Sequence, residues 1–122
     1  MQFNDSMATI LNNIKAEGKF CYIMGDFNLN LLNANSHNPT NDFIDLMYSY
    51  NFIPLINKPT RVGLNSATLI DNVFTNNLSN NILQGILYSD ISDHFPIFMI
   101  DSTHSYKKQV QYVCSNNFSM EN

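Results

Sequence analysis

Three short polar phrases sit at the ends or edges of apolar, strand-like runs: Gly25-Asp26-Phe27-Asn28, Ile70-Asp71-Asn72 and Ser92-Asp93-His94-Phe95-Pro96. Carboxylates next to an imidazole form a set that ligates divalent cations and handles phosphate, so three such phrases in one small chain point to one active centre. Alternate residues leaving a strand share a direction, so Asp26 and Asn28 address one pocket, the carboxylate to take a proton and the carboxamide to orient. The plainer reading is a turn in which both side chains bond their own backbone. A calcium loop is excluded because Leu31 and His37 occupy the glycine and final glutamate positions.

Asp71 lies inside an apolar run, where an acid is costly without a partner. A carboxylate bonded to one imidazole nitrogen fixes the tautomer and orients the ring, and His94 is the expected partner, with Asp90 as a competing acid. The alternatives are an edge-strand acid facing solvent at Asp71 and a loop acid with a surface histidine at Asp93-His94. His37 and His104 fall in a polar loop and the polar tail and are expected to be solvent-exposed.

The elements that must position these residues can be read from periodicity. Phe3, Met7, Ile10, Leu11 and Ile14 fall at helical spacing, with Asn4, Asp5 or Ser6 as N-cap and Gly18 as the stop. Phe20 to Met24 reads as a buried strand ended by Gly25, and Asn28 to Thr40 as a long loop containing Pro39. Thr40 or Asn41 caps a second helix through Tyr50, with Phe43, Leu46, Met47 and Tyr50 on one stripe. Pro54 and Pro59 frame an irregular connection. Strands are expected over Thr68 to Thr75, Ile86 to Tyr88 and Phe95 to Ile100, with a turn-rich loop from Asn76 to Asn81. Helices alternating with short strands indicate an α/β layered domain, and the few strands indicate an incomplete sheet.

The chain of 122 residues, 44% of them hydrophobic, accommodates one small domain with a core. A net charge of −4 and a pI near 5.0 argue against a free-standing nucleic-acid clamp, so a phosphate substrate needs a metal or an additional basic region. Two cysteines, Cys21 in an apolar run and Cys114 in the tail, give no disulfide framework and fit an intracellular compartment, with Cys21 expected in the core. No run approaches the ~20 apolar residues of a membrane helix, and the first residues lack the pattern of a signal peptide.

Taken in order, Gly25-Asp26-Phe27-Asn28, Pro59-Thr60-Arg61, Ala67-Thr68-Leu69-Ile70-Asp71-Asn72-Val73-Phe74 and Ser92-Asp93-His94-Phe95-Pro96 resemble the endonuclease/exonuclease/phosphatase superfamily. They resemble above all the AP-like endonuclease domain of non-LTR retrotransposons, the LINE elements of the jockey kind, in which Pro-Thr-Arg and Ile-Asp-Asn-Ile/Val-Phe phrases are typical. The resemblance implies the C-terminal half of a DNase-like four-layer α/β sandwich, a mixed sheet flanked by helices. Residues 1–100 would form the partial domain and 101–122 a polar tail or linker.

The activity implied is magnesium-dependent phosphodiester hydrolysis, with Mn2+ as a substitute. By match to the motifs, Asp26 activates the attacking water, and Asn28 places water and phosphate. Asp93 serves the metal, His94 held by Asp71 contacts the scissile phosphate, and Thr60 lies near that phosphate. DNA is the implied substrate, a reverse transcriptase domain the C-terminal neighbour, and the nucleus the site of action, with no membrane involved. The family's early Asn pair, metal-binding glutamate and catalytic tyrosine or histidine have no counterpart here, since Glu17 ends a surface helix and Glu121 lies in the tail. The isolated chain is therefore expected to bind Mg2+ weakly and cut DNA poorly. Two other readings remain: a phosphatase of the same superfamily, and an inactive remnant serving as a folding or interaction module.

Overall fold

The computed structural model describes residues 2–102, which combine two helices with small antiparallel sheets. Helix α1 (Gln2–Glu17) buries Met7 and Leu11. It starts upstream of the expected caps, so Asn4, Asp5 and Ser6 lie within its first turns. Gly18 ends it in the left-handed conformation (φ +64°), where its N–H reaches the carbonyls of Ile14 and Lys15 at 3.1 and 3.2 Å. Helix α2 (Asn38–Ser49) begins earlier than Thr40 because Pro39 occupies its first turn, where a missing N–H costs nothing. Asn51 (φ +63°) turns the chain out of it, and the N–H groups of Tyr50 and Phe52 return to Met47 O.

The helices close over Phe43, Met47, Phe52 and Phe74, which with Met7 and Leu11 form the core. Phe74 comes from β5 (Asp71–Thr75), the central strand of a sheet ordered β1-β5-β2, with β1 spanning Tyr22–Asp26 and β2 Ile53–Pro54. Two further ladders pair β3 (Arg61–Val62) with β4 (Ala67–Thr68), and β6 (Ile82–Ile86) with β7 (Ile97–Asp101). Every ladder among the described residues is antiparallel, so the mixed sheet expected from the resemblance is not found there.

Several expected elements shift, each for a local reason. The first strand begins at Tyr22 and is not buried: as an edge strand it leaves Met24 53% exposed, with Phe20 before it at 71%. Cys21 is accordingly half-buried. The run from Thr68 to Thr75 is two strands, because Leu69 and Ile70 bond the loop after β1 instead of a neighbouring strand: Leu31 N–H donates to Leu69 O and Phe27 N–H to Ile70 O. The strand expected at Ile86 to Tyr88 lies earlier, at Ile82–Ile86. Gly85 stands opposite Phe98 there, and a Cβ at Gly85 would meet that ring at 2.8 Å. Phe95 belongs to the β3 pairing rather than to β7, its N–H donating to Thr60 O. Strand β7 runs through Asp101, one residue past the expected domain end, while His104, Cys114 and Glu121 lie outside the described residues.

Candidate active site

Strands β1 and β5 pair in a register that sets Asp26 directly opposite Asp71. Phe27 anchors the end of β1. Its ring packs edge-on against Phe74 at 5.2 Å and tilted against Phe43 at 5.4 Å, and its N–H continues the ladder to Ile70 O at 2.8 Å. The core thus fixes where Asp26 leaves the sheet. Like charges facing each other across a ladder repel, so the pair calls for a cation nearby.

His94 supplies the third group. Its backbone is tied to β3 as a close, non-hydrogen-bonded pair with Arg61, flanked by Val62 N–H to Asp93 O (3.1 Å) and Phe95 N–H to Thr60 O (2.7 Å). From there His94 Nδ1 lies 3.2 Å from Asp71 Oδ2. Asp26, Asp71 and His94, distant in sequence, each bring a potential ligand atom into a group within 4.8 Å. The three open into a groove of ≈ 360 Å³ whose apolar lining includes Met24, Phe95, Pro96 and Ile97.

Thr60 holds this arrangement from behind. Fully buried, its Oγ1 donates to Asp71 Oδ2 at 2.7 Å and accepts from the N–H groups of Asp71 (3.1 Å) and Ile70 (3.3 Å). A hydroxyl with no exposure cannot meet a phosphate arriving from solvent, so the expected place for Thr60 beside the substrate is corrected to one behind Asp71. Asn28 also sits differently from expectation. The strand ends at Asp26, and Asn28 adopts the left-handed conformation (φ +54°), so strand alternation does not extend to it. Its N–H donates to Asp26 Oδ1 at 2.8 Å, the self-bonding turn, which also fixes one carboxylate oxygen of Asp26. The Asn28 side chain is exposed next to that turn.

Asp93, expected to serve a metal, stands apart from the cluster. Its Oδ2 accepts from Arg61 Nε at 3.1 Å, and that guanidinium holds the carboxyl below its ordinary range. Arg61 is the residue that sequence reasoning passed over, although it stands next to Thr60 in Pro59-Thr60-Arg61. Asn72, in the second phrase, is buried and structural: its side chain accepts from Ile56 N–H at 3.0 Å and donates to Ile56 O at 2.9 Å, pinning the connection after β2. Asp90 makes no hydrogen bond or ion pair with His94 among the described residues, and His37 is exposed with Nδ1 2.8 Å from Thr40 Oγ1.

No family model, curated protein or solved structure matches the chain. No helix among the described residues is long and apolar enough to cross a membrane.

Proposed function

We infer that the chain is part of a divalent-cation-dependent phosphodiester hydrolase acting on DNA, of the endonuclease/exonuclease/phosphatase kind and nearest to the AP-like endonuclease of a non-LTR retrotransposon. One observation carries this reading. Residues from three separate motifs, Asp26, Asp71 and His94, meet at the mouth of one groove, two carboxylates and an imidazole of the kind that suits a cation and a phosphate. The four-layer sandwich and a neighbouring reverse transcriptase belong to the same proposal, as does action in the nucleus.

Each residue then has a role that follows from its contacts. Asp26 keeps one oxygen occupied by Asn28 N–H and offers the other to a water, as a base does. His94, steadied through Nδ1 by Asp71, turns its remaining ring nitrogen to the substrate and donates to the phosphate oxygen on which charge builds. Thr60 keeps Asp71 in place. Asn28, exposed beside Asp26, meets water or phosphate at the rim.

The donor set fits a divalent cation. Two carboxylates suit Mg2+ with its retained waters, and Mn2+ accepts the same oxygen donors. Such an ion would stabilise charge on the phosphate and lower the pKa of a bound water. The ligand atoms would come from Asp26 and Asp71, with His94 turned to the phosphate and Asp93 engaged by Arg61 instead.

Paramagnetic Mn2+ titrated into the chain is expected to broaden the resonances of Asp26, Asp71 and His94 first, and Asp26→Asn to blunt that response. Broadening centred elsewhere, for example at Asp42 and Asp45 on α2, would remove the cation from this site. In an active parent enzyme, Asp26→Ala, Asn28→Ala and His94→Ala should each abolish strand cleavage without unfolding the protein. Retained cleavage removes that residue from the mechanism.

A second reading, a remnant acting as an interaction module, draws on exposed apolar side chains. Met24, Leu83, Leu87, Tyr88, Ile91 and Ile100 are all more than half exposed. Of these, Met24, Leu83 and Ile100 belong to strands, which suits sheet faces normally covered by further layers. Pure chain that nicks plasmid robustly with Mg2+ would exclude the remnant, and cleavage of soluble phosphomonoesters in place of DNA would favour the phosphatase branch.

A further inference from the structure

Arg61 is the only arginine in the chain. It occupies β3 with its Cα opposite His94, a close-pair geometry in which the two Cα atoms are about 4.5 Å apart. The other described cations lie elsewhere: Lys15 and Lys19 line a hollow beside Phe20, and Lys58 lines one beside Tyr88. Asp93 engages Arg61 through Nε alone, and no other acceptor among the described residues takes the remaining guanidinium donors. The side chains of Arg61 and Asp93 are 52% and 55% exposed. An exposed pair of this kind is worth little by itself, so it orients the guanidinium without locking it away from a ligand.

The cluster also has a charge problem. Asp26 and Asp71 face the groove with one imidazole, and a phosphodiester brings a further negative charge. A planar guanidinium offering two parallel N–H groups is the side chain best matched to phosphate oxygens. We propose that Arg61 is a substrate-binding residue that takes a non-bridging phosphate oxygen of a DNA strand lying across the Asp26–Asp71–His94 groove, and that Asp93 is the positioning residue that presents its guanidinium. This rests on the phosphodiesterase reading above and adds to it the residue that holds the strand. Asp93 thereby has a role that needs no direct contact with a metal.

The test uses the chain itself and a short fluorescein-labelled oligodeoxynucleotide, followed by anisotropy over a series of salt concentrations, with circular dichroism to confirm folding. Arg61→Ala is expected to weaken binding about tenfold and to lower the slope of log K against log salt by about one. Arg61→Lys should keep the slope and lose about threefold in affinity, since it retains the charge and loses the fork. Lys15→Ala should bind as the wild type does. Asp93→Asn should weaken binding less than Arg61→Ala while leaving the slope intact. If Arg61→Ala binds like the wild type while His94→Ala does not, the Arg61 proposal falls and the site reading stands. If neither variant changes binding, or the wild type does not bind, both fall together. Should Arg61→Ala fail to fold, Arg61→Lys decides: undiminished affinity overturns the proposal.

Discussion

Thr60→Val deletes one hydroxyl from the frame of the site and leaves the side chain's branched shape. The Oγ1 it removes has no solvent exposure and takes part in three hydrogen bonds, to Asp71 Oδ2 at 2.7 Å and from the N–H groups of Asp71 and Ile70 at 3.1 and 3.3 Å. A bond to a charged acceptor contributes ~1.5–3 kcal/mol, and each buried N–H left without a partner costs ~1–3 kcal/mol. Asp71 retains some solvent contact and the bond from Ile70 is long, so both contributions fall near the low end of their ranges. The sum is about 3.5 kcal/mol, which for a domain of this size is a drop of roughly 10–25 °C in Tm. Urea unfolding followed by far-ultraviolet circular dichroism measures it directly. Thr60→Ser, which keeps the hydroxyl and loses a methyl, should cost only about 1 kcal/mol. A double-mutant cycle with Asp71→Asn should return a coupling of about 1 kcal/mol or more. If Thr60→Val falls within about 0.5 kcal/mol of the wild type, the hydroxyl does not hold Asp71 and this account of the site's frame is wrong.

Phe27→Ala should cost about 2 kcal/mol, less than a fully buried phenylalanine because Phe27 is only half-buried. Since Phe27 seats the end of β1, the same variant should reduce Mn2+ broadening at Asp26, and an unchanged response would separate core packing from the site. Tyr22 lies against Asp101, to which its hydroxyl donates, and takes a second bond from Asn77 Nδ2 at 2.9 Å. Burial, followed by the Asp101 carboxylate, raises its pKa above the ordinary 10.0. A raised folded-state pKa favours the neutral phenol in the fold, so its contribution is fully present below pH 10.0 and is lost as the pH climbs through the raised value. Wild-type stability should therefore fall more steeply than that of Tyr22→Phe above pH 10.0, and equal slopes in that window would contradict the assignment.

The Asp71–His94 pairing was legible because a residue's type was out of keeping with its neighbours. Asp71 in an apolar run needed a partner, and His94 was the histidine placed before a strand. Both belong to the cluster because a half-buried acid constrains its surroundings strongly enough to be read locally. The two long helices were legible from their apolar stripes, although Pro39 read as a loop residue when it sits in the first turn of α2. What could not be read is non-local. No local pattern sets Asp26 opposite Asp71, since that follows from the β1–β5 register, nor does any pattern bury Thr60 behind Asp71. The Asp93–Arg61 pair spans separate segments that only the backbone bridge at His94 brings together. Strand β6 was displaced for a related reason: Gln84 and Gly85 weaken its strand character, and only the ring of Phe98 across the ladder accounts for the glycine.

The opposed carboxylates give a last test, because stability and function pull Asp26 in different directions. Like charges directly opposite on adjacent strands cost roughly 0.2–1 kcal/mol, and the exposure of Asp26 puts this pair toward the low end. An Asp26→Asn substitution removes the repulsion yet keeps an oxygen to accept from Asn28 N–H, so the local turn survives. In chelator-treated buffer, the variant should thus be as stable as the wild type or slightly more so. With Mn2+ added the order should reverse, since an ion that binds only the folded state stabilises it as RT ln(1 + [Mn2+]/Kd), a gain the variant largely forgoes. Residues that oppose stability until a ligand arrives are a mark of a functional site. If the wild type is clearly the more stable form without metal, and Mn2+ adds nothing, His94 already compensates both acids. The cluster is then a structural ion network, and the hydrolase reading loses the observation on which it rests.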